Sequence, residues 1–174
     1  LAAYLVGGNG WRLMVEAENY RAVGPGGDAG FYKWWEAPAN YDVEYIETGF
    51  ATGLVDDIMY FNSDGSFTYD TGIDRQIMGK QVDIDAAFNF DGSIDGGYVN
   101  GDQEYTNFPL ADFSDSYTLG TDGVYDLIEF STVGNLGMYT STGAASYKVL
   151  ETTENTMYVV MQGSETHYWY SLLT

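Results

Sequence analysis

Ser146-Tyr147-Lys148-Val149-Leu150-Glu151, Thr156-Met157-Tyr158-Val159-Val160-Met161 and His167-Tyr168-Trp169-Tyr170-Ser171-Leu172-Leu173 decide the fold class. Each run is rich in β-branched and aromatic residues, the types that fit a pleated, half-buried surface. Short polar segments, 152–155 and 162–165, separate them. Upstream, residues 124–131 and 137–140 extend the series, with breaks at Gly134-Asn135 and Gly143. Consecutive short strands with short turns predict an up-and-down antiparallel meander.

Further toward the N-terminus, residues 58–62 and 66–71 flank Ser63-Asp64-Gly65, and Asp-Gly between β-rich runs signals a hairpin. Residues 81–90 alternate in part. Val82, Ile84 and Ala86 fall on one side and Asp83 and Asp85 on the other, which predicts a half-buried strand. Asp91-Gly92 and Asp95-Gly96-Gly97 follow as turns, and residues 98–115 fit no single element. Residues 11–17 read as the first strand. Residues 1–6 read as a short helix stopped by Gly7-Gly8, as glycine does at a C-cap. Residues 18–55 are long and irregular. The expectation is an all-β single domain spanning 1–174, an antiparallel barrel or sandwich with a short N-terminal helix.

Composition narrows the partners. The chain carries 26 acidic and 6 basic residues, a formal net charge of −20. Nucleic acid and anionic membranes are recognised by clustered Lys and Arg, so both are disfavoured, as are anionic polysaccharides. Neutral glycans and cations stay open. Cys is absent and His167 is the single histidine, which removes disulfides, thiolate chemistry and histidine-rich zinc centres. No Gly-x-Ser-x-Gly elbow supports a serine triad. No apolar run approaches the length of a membrane span. The chain does not start with Met, and is expected to be a piece of a longer protein.

The stretch that bears most on function is Ala22-Val23-Gly24-Pro25-Gly26-Gly27 followed by Phe31-Tyr32-Lys33-Trp34-Trp35-Glu36-Ala37-Pro38. Adjacent residues on a strand point to opposite faces, so Trp34 and Trp35 do not both enter one core. One ring is therefore a candidate for exposure, and flat aromatic faces suit the apolar sides of sugar rings. The alternative is that both rings plug the end of a barrel.

Several short motifs resemble a known group of domains. Gly8-Asn9-Gly10-Trp11-Arg12-Leu13 resembles the opening strand of lipocalin-like barrels, where a Trp packs across the floor. Val23-Gly24-Pro25, Trp34-Trp35-x-Ala37-Pro38, Gly53, Asp56-Asp57 and Phe61-x-x-x-Gly65-x-Phe67-x-Tyr69 occur in that order. Tyr147-x-Val149, Met157-Tyr158-Val159 and Trp169-Tyr170-x-Leu172 close the pattern. Together these are similar to lipocalin-like β-barrel domains of exported glycan-utilisation proteins of Bacteroidetes, found beside PKD-type or laminarinase-like modules. The resemblance implies a non-catalytic glycan-associated module, extracellular, on the outer-membrane surface or in the periplasm. Those domains often carry His before the Gly-Pro loop, where this chain has Tyr20-Arg21-Ala22.

Trp11 reads as core. In Tyr168-Trp169-Tyr170, one face of the strand is core and the other is free to line a sugar platform. His167 reads as a surface or turn residue. Asp56-Asp57 is the tightest acidic pair, but neighbours on a strand diverge. A glycosidase would need Glu36 or Glu44 as the second acid. Asn89-x-Asp91-x-Ser93-x-Asp95-Gly96 spaces oxygen ligands at alternate positions, with Asp102 twelfth from Asp91. That is close to a calcium loop, although position twelve should be Glu and a helix should precede it. The alternative is a pair of Asp-Gly turns.

The function expected from the sequence is binding of a neutral, β-glucan-like polysaccharide without catalysis. Trp34 and Trp35 would stack on sugar, with Tyr32 and Tyr41 adjacent, and Glu36, Asp57 or Asp28 would accept hydroxyl hydrogen bonds. No organic cofactor is expected, and Asp91, Ser93, Asp95 and Asp102 are the candidate calcium ligands. Alternatives are a lipocalin-like binder of a small apolar ligand, a structural spacer and, last, a glycoside hydrolase.

Overall fold

The computed structural model describes residues 1–25, 33–41, 55–87, 99, 101, 103–137, 146–162 and 167–174. The fold is antiparallel β. Among the described residues the strands are β1 (Arg21–Gly24), β2 (Trp35–Glu36), β3 (Ile58–Phe61), β4 (Ser66–Asp70), β5 (Gln76–Lys80), β6 (Glu104–Pro109), β7 (Phe113–Thr121), β8 (Asp126–Phe130), β9 (Ser146–Thr152), β10 (Met157–Gln162) and β11 (Tyr168–Leu173). Nine form one sheet in the order β2-β1-β11-β10-β9-β8-β7-β4-β3, and β5 pairs with β6 in a second.

Of the C-terminal meander that the sequence predicts, β8 through β11 form and are adjacent in chain order. Strand β7 joins them although the sequence did not mark it as a strand, and the strand expected at 137–140 lies outside the described residues but for Gly137. The β3–β4 hairpin forms as well. Gly65 takes φ +85° in its turn, a left-handed conformation that glycine enters without a Cβ penalty. The Asp64 carboxylate accepts from the Ser66 backbone N–H at 2.9 Å and fixes the turn.

Three sequence expectations change. Residues 11–17 form no continuous strand. Instead Trp11 exchanges both backbone hydrogen bonds with Met59 of β3, at 2.8 Å each, and Arg12 does the same with Thr174 beyond β11, at 2.9 Å. One short segment therefore bonds to β3 at one end of the sheet order and to the end of β11. Gly10 permits this approach, since a Cβ there would lie 2.1 Å from Ile58 Cγ2.

The second change is at residues 81–87, since 88–90 of the expected strand lie outside the described residues. The expected strand is a helix, α2 (Gln81–Ala87), following α1 (Ala2–Leu5). Seven residues are too few for alternation to outweigh a helical turn. Gln81 and Asp85, one turn apart, both reach the Tyr105 hydroxyl, at 3.3 and 2.9 Å. Asp83 and Ile84 are buried while Val82 is exposed, the reverse of the alternating pattern for 82 and 83. The third change is within residues 18–55, read as irregular, where Arg21–Gly24 and Trp35–Glu36 are strands.

The core is an aromatic ladder. Phe67 packs edge-on to Phe130 at 4.7 Å between ring centres, Phe61 edge-on to Tyr117 at 5.0 Å, and Tyr69 stacks on Phe113 at 5.1 Å. Each such pair adds about 0.5–1.5 kcal/mol beyond its buried area. Trp11, Trp169, Met157, Val159 and Leu173 belong to the same cluster. The other face of β1, β10 and β11 carries a second, smaller cluster of Ala22, Val160 and Tyr170, against which Leu150, Tyr158 and Tyr168 pack. Alternate residues of β11 thus enter both clusters, and the strand is buried on both faces. Among the described residues, no helix is long and apolar enough to cross a membrane.

Candidate functional site

The aromatic residues singled out by the sequence meet where β2 pairs with β1. The register sets Trp35 opposite Val23 and Glu36 opposite Ala22. Val23 packs on the main core and Ala22 belongs to the second cluster, so Trp35 and Glu36 lie on opposite faces of the sheet. The Trp34 backbone N–H donates to Val23 O at 2.8 Å and that of Ala37 to Arg21 O at 2.9 Å, holding the strand against β1.

Trp34 and Trp35 have separate neighbours. Trp34 is 56% exposed and meets the edge of His167 at 5.1 Å. Trp35 is 37% exposed and meets Tyr41 edge-on at 5.5 Å. The other two tryptophans, Trp11 and Trp169, are 5% and 9% exposed. The chain therefore keeps one pair of tryptophans inside and leaves the adjacent pair in contact with solvent.

Two cations order this edge. The buried Arg21 guanidinium lies 5.3 Å from the Trp35 ring centre and 5.8 Å from that of Tyr41. On the other face, Lys33 Nζ lies 2.8 Å from a Glu36 carboxylate oxygen. It also sits 5.0 and 5.5 Å from the ring centres of Tyr158 and Tyr170, which stack on each other. Burial disfavours the Lys33 charge, but Glu36 and the Tyr158 hydroxyl more than offset it and hold its pKa above the usual lysine value. Burial pushes the Tyr170 phenol up to about 12, so it stays neutral and is a donor at any physiological pH.

The edge thus brings together Trp34, Trp35, Tyr41 and Glu36. Arg21, Lys33, His167 and Tyr158 join them without having been singled out as ligand contacts, as does Tyr170, whose strand the sequence offered as core on one face and a sugar platform on the other. Arg21 carried a signal, since it stands in Tyr20-Arg21-Ala22, the place where the resemblance breaks. Tyr32 and Asp28 lie outside the described residues, as do Asp91, Ser93, Asp95 and Asp102. Among the described residues, no group of three or more His, Asp or Glu side chains is placed to hold a metal ion.

Asp57 is placed differently from the surface role expected of it. It is 2% exposed, and its Oδ2 accepts from the Tyr69 hydroxyl at 2.5 Å. Burial pushes its carboxyl up to about 8. The Tyr69 hydrogen bond opposes the shift, and the charges of Asp56, Asp74 and Asp70 add to it. Its neighbour Asp56 turns the other way and accepts from the Ile73 N–H at 2.7 Å. The two carboxyls diverge, as neighbours entering a strand must, and Asp57 offers no face to a substrate.

Chemically, the edge can stack flat apolar surfaces on indole rings and meet hydroxyls with Glu36. No protein-family model matches this chain, and no curated protein matches it.

Proposed function

We propose that this protein binds a neutral polysaccharide, β-glucan-like in character, at the β1–β2 edge and performs no chemistry on it. The observation that carries this reading is the contrast among the tryptophans, two buried and two adjacent ones exposed at 56% and 37%. Leaving a large ring in water forgoes roughly 1.5–3 kcal/mol of burial, so an exposed pair beside polar groups reads as a contact surface. Trp34 and Trp35 stack on sugar faces from either side of the strand. Tyr41 extends the Trp35 side, and Glu36 accepts hydroxyl hydrogen bonds next to Lys33. Stacking platforms of this kind give Kd in the millimolar to micromolar range, about −4 to −8 kcal/mol. Neighbouring modules of a longer exported protein, at the cell surface or in the periplasm, raise the avidity.

The same proposal includes a sheet that closes as a lipocalin-like barrel, with the 11–14 segment as the closing element between β3 and β11. The hydrogen bonds of Trp11 and Arg12 support it. The packed aromatic ladder favours surface binding over an enclosed apolar ligand, because the chain's own rings fill the core. Affinity electrophoresis through gels containing neutral β-glucans tests the function. Retarded migration relative to a gel without polysaccharide supports it, and unchanged migration across a broad panel of neutral glycans removes it.

A further inference from the structure

A recess of about 300 Å³ lies at the far end of β11 from the Trp34–Trp35 edge. Strand β1 meets β11 at Tyr168 to Ser171, whereas the recess is lined by Thr174, by Asn155 and Glu154 of the β9–β10 turn, and by Tyr4, Asn9 and Trp11. Its walls are tied together. The Thr174 hydroxyl donates to Asn155 O at 3.0 Å, and the Trp11 indole N–H donates to Leu5 O at 3.4 Å. Gly10 lets the chain run close over Ile58 into Trp11 and so shapes one side.

The lining has unspent hydrogen-bonding capacity. Among the described residues, the Tyr4 phenol, the Asn9 and Asn155 carboxamides and the Glu154 carboxylate make no hydrogen bond or ion pair. Two carboxamides and a phenol supply donors, while a carboxylate and two carboxamide oxygens supply acceptors. Tyr4, 44% exposed, and Trp11 add apolar ring surface.

We infer that this recess is a binding site for one neutral polyhydroxylated ring, such as a single saccharide unit. Among the described residues no Lys or Arg lines it, so none of them balances an anionic ligand. An organic cation would use Glu154 and the Tyr4 ring but leave the carboxamide donors without acceptors. A purely apolar ligand would desolvate the polar lining without replacing its hydrogen bonds. A sugar hydroxyl both donates and accepts, and the ring's C–H face meets tyrosine. The volume stands at the lower limit of small-molecule sites, which suits one ring and not an oligomer. The site shares no residue with the β1–β2 edge and stands or falls separately from it.

The test is a two-dimensional NMR titration of the ¹⁵N-labelled protein with methyl β-glucoside, β-galactoside and β-mannoside, and separately with tetramethylammonium. At least one glycoside is expected to shift the Trp11 indole N–H and the Asn155 and Thr174 amides saturably. Tyr4→Ala and Asn155→Ala are each expected to weaken that binding about fivefold or more without lowering the melting temperature, because both side chains are exposed. Absence of saturable shifts at these signals up to about 100 mM, well above a millimolar Kd, overturns the site. So do shifts confined to the Trp34 and Trp35 indoles, variants that bind as wild type, and stronger shifts with tetramethylammonium than with any glycoside.

Discussion

The Arg21 guanidinium lies 5.3 Å from the centre of the Trp35 ring, and it does so from a buried position on β1. A half-exposed indole is thereby held by a cation that the sheet itself fixes. Desolvated cation–π contacts contribute about 2 kcal/mol. With Tyr41 edge-on at 5.5 Å, the ring is set in one orientation before any ligand arrives. Such preorganisation lowers the entropic cost of binding.

Arg21→Met is therefore expected to loosen Trp35. In a Trp34→Phe background, acrylamide quenching of tryptophan fluorescence should rise and near-ultraviolet circular dichroism should weaken. Arg21→Lys should restore these signals only in part, because an ammonium does not stack as a planar guanidinium does. Unchanged quenching in Arg21→Met would show that Arg21 does not position the ring.

Asp57 gives the fold a distinct pH dependence. Its carboxyl is raised from 3.8 to about 8 by burial. The folded protein therefore holds this proton more tightly than the unfolded chain between those values. Stability from this group is full below about pH 4 and falls as pH rises toward 8, by up to about 1.4 kcal/mol per pH unit, then levels off. Melting temperatures between pH 5 and 9 should fall with pH in the wild type and fall less steeply in Asp57→Asn. The other 25 of the 26 acidic residues act on both proteins alike, so only the difference in slope reports Asp57. Parallel slopes would contradict the assignment.

Gly10 is expected to tolerate no side chain. Its Cβ would meet Ile58 Cγ2 at 2.1 Å and Tyr60 Cε1 at 2.9 Å, and the branched Ile58 has little rotameric freedom to retreat. Gly10→Ala should cost roughly 1–3 kcal/mol in chemical denaturation. Ile58→Ala in the same chain should remove part of that cost, a coupling readable in a double-mutant cycle. Strict additivity of the two changes would refute the steric account.

Strands β8 to β11 were legible because each carries its own pattern, whereas β7 went unread. Tyr147 and Val149, Met157, Val159 and Met161, and Trp169 and Leu173 alternate into one core. Strand β1 was not legible. Arg21-Ala22-Val23-Gly24 runs into Pro25 and carries no strand period of its own. It is a strand because β11 pairs with it from nearly the whole chain away. The alternation in 82–86 misled because the Gln81 and Asp85 contacts to Tyr105 favour a helical turn over a period seen in too few residues. At the site, the adjacency of Trp34 and Trp35 showed that they must part. That Arg21 would hold one and His167 touch the other depends on strand pairing no local pattern encodes. Asp57 looked like a surface acid, and only its contact with the buried Tyr69 reveals a core carboxyl.

Trp11 and Trp34 are expected to respond oppositely to truncation. Trp11 is 5% exposed and its backbone bonds to β3, so Trp11→Ala should cost roughly 3–5 kcal/mol. Trp34→Ala removes a ring that is more than half exposed and should leave the melting temperature within a few degrees of wild type. A large loss from Trp34→Ala would mark the ring as structural.

The most direct test of glycan binding at the β1–β2 edge is calorimetric titration of soluble neutral β-glucan into wild type, Trp34→Ala and Trp35→Ala, with melting followed on the same samples. Saturable binding by the wild type is expected, with a loss on the order of 2 kcal/mol or more in at least one variant that melts as the wild type does. No binding by the wild type across neutral glycans, or wild-type affinity in both folded variants, would contradict it.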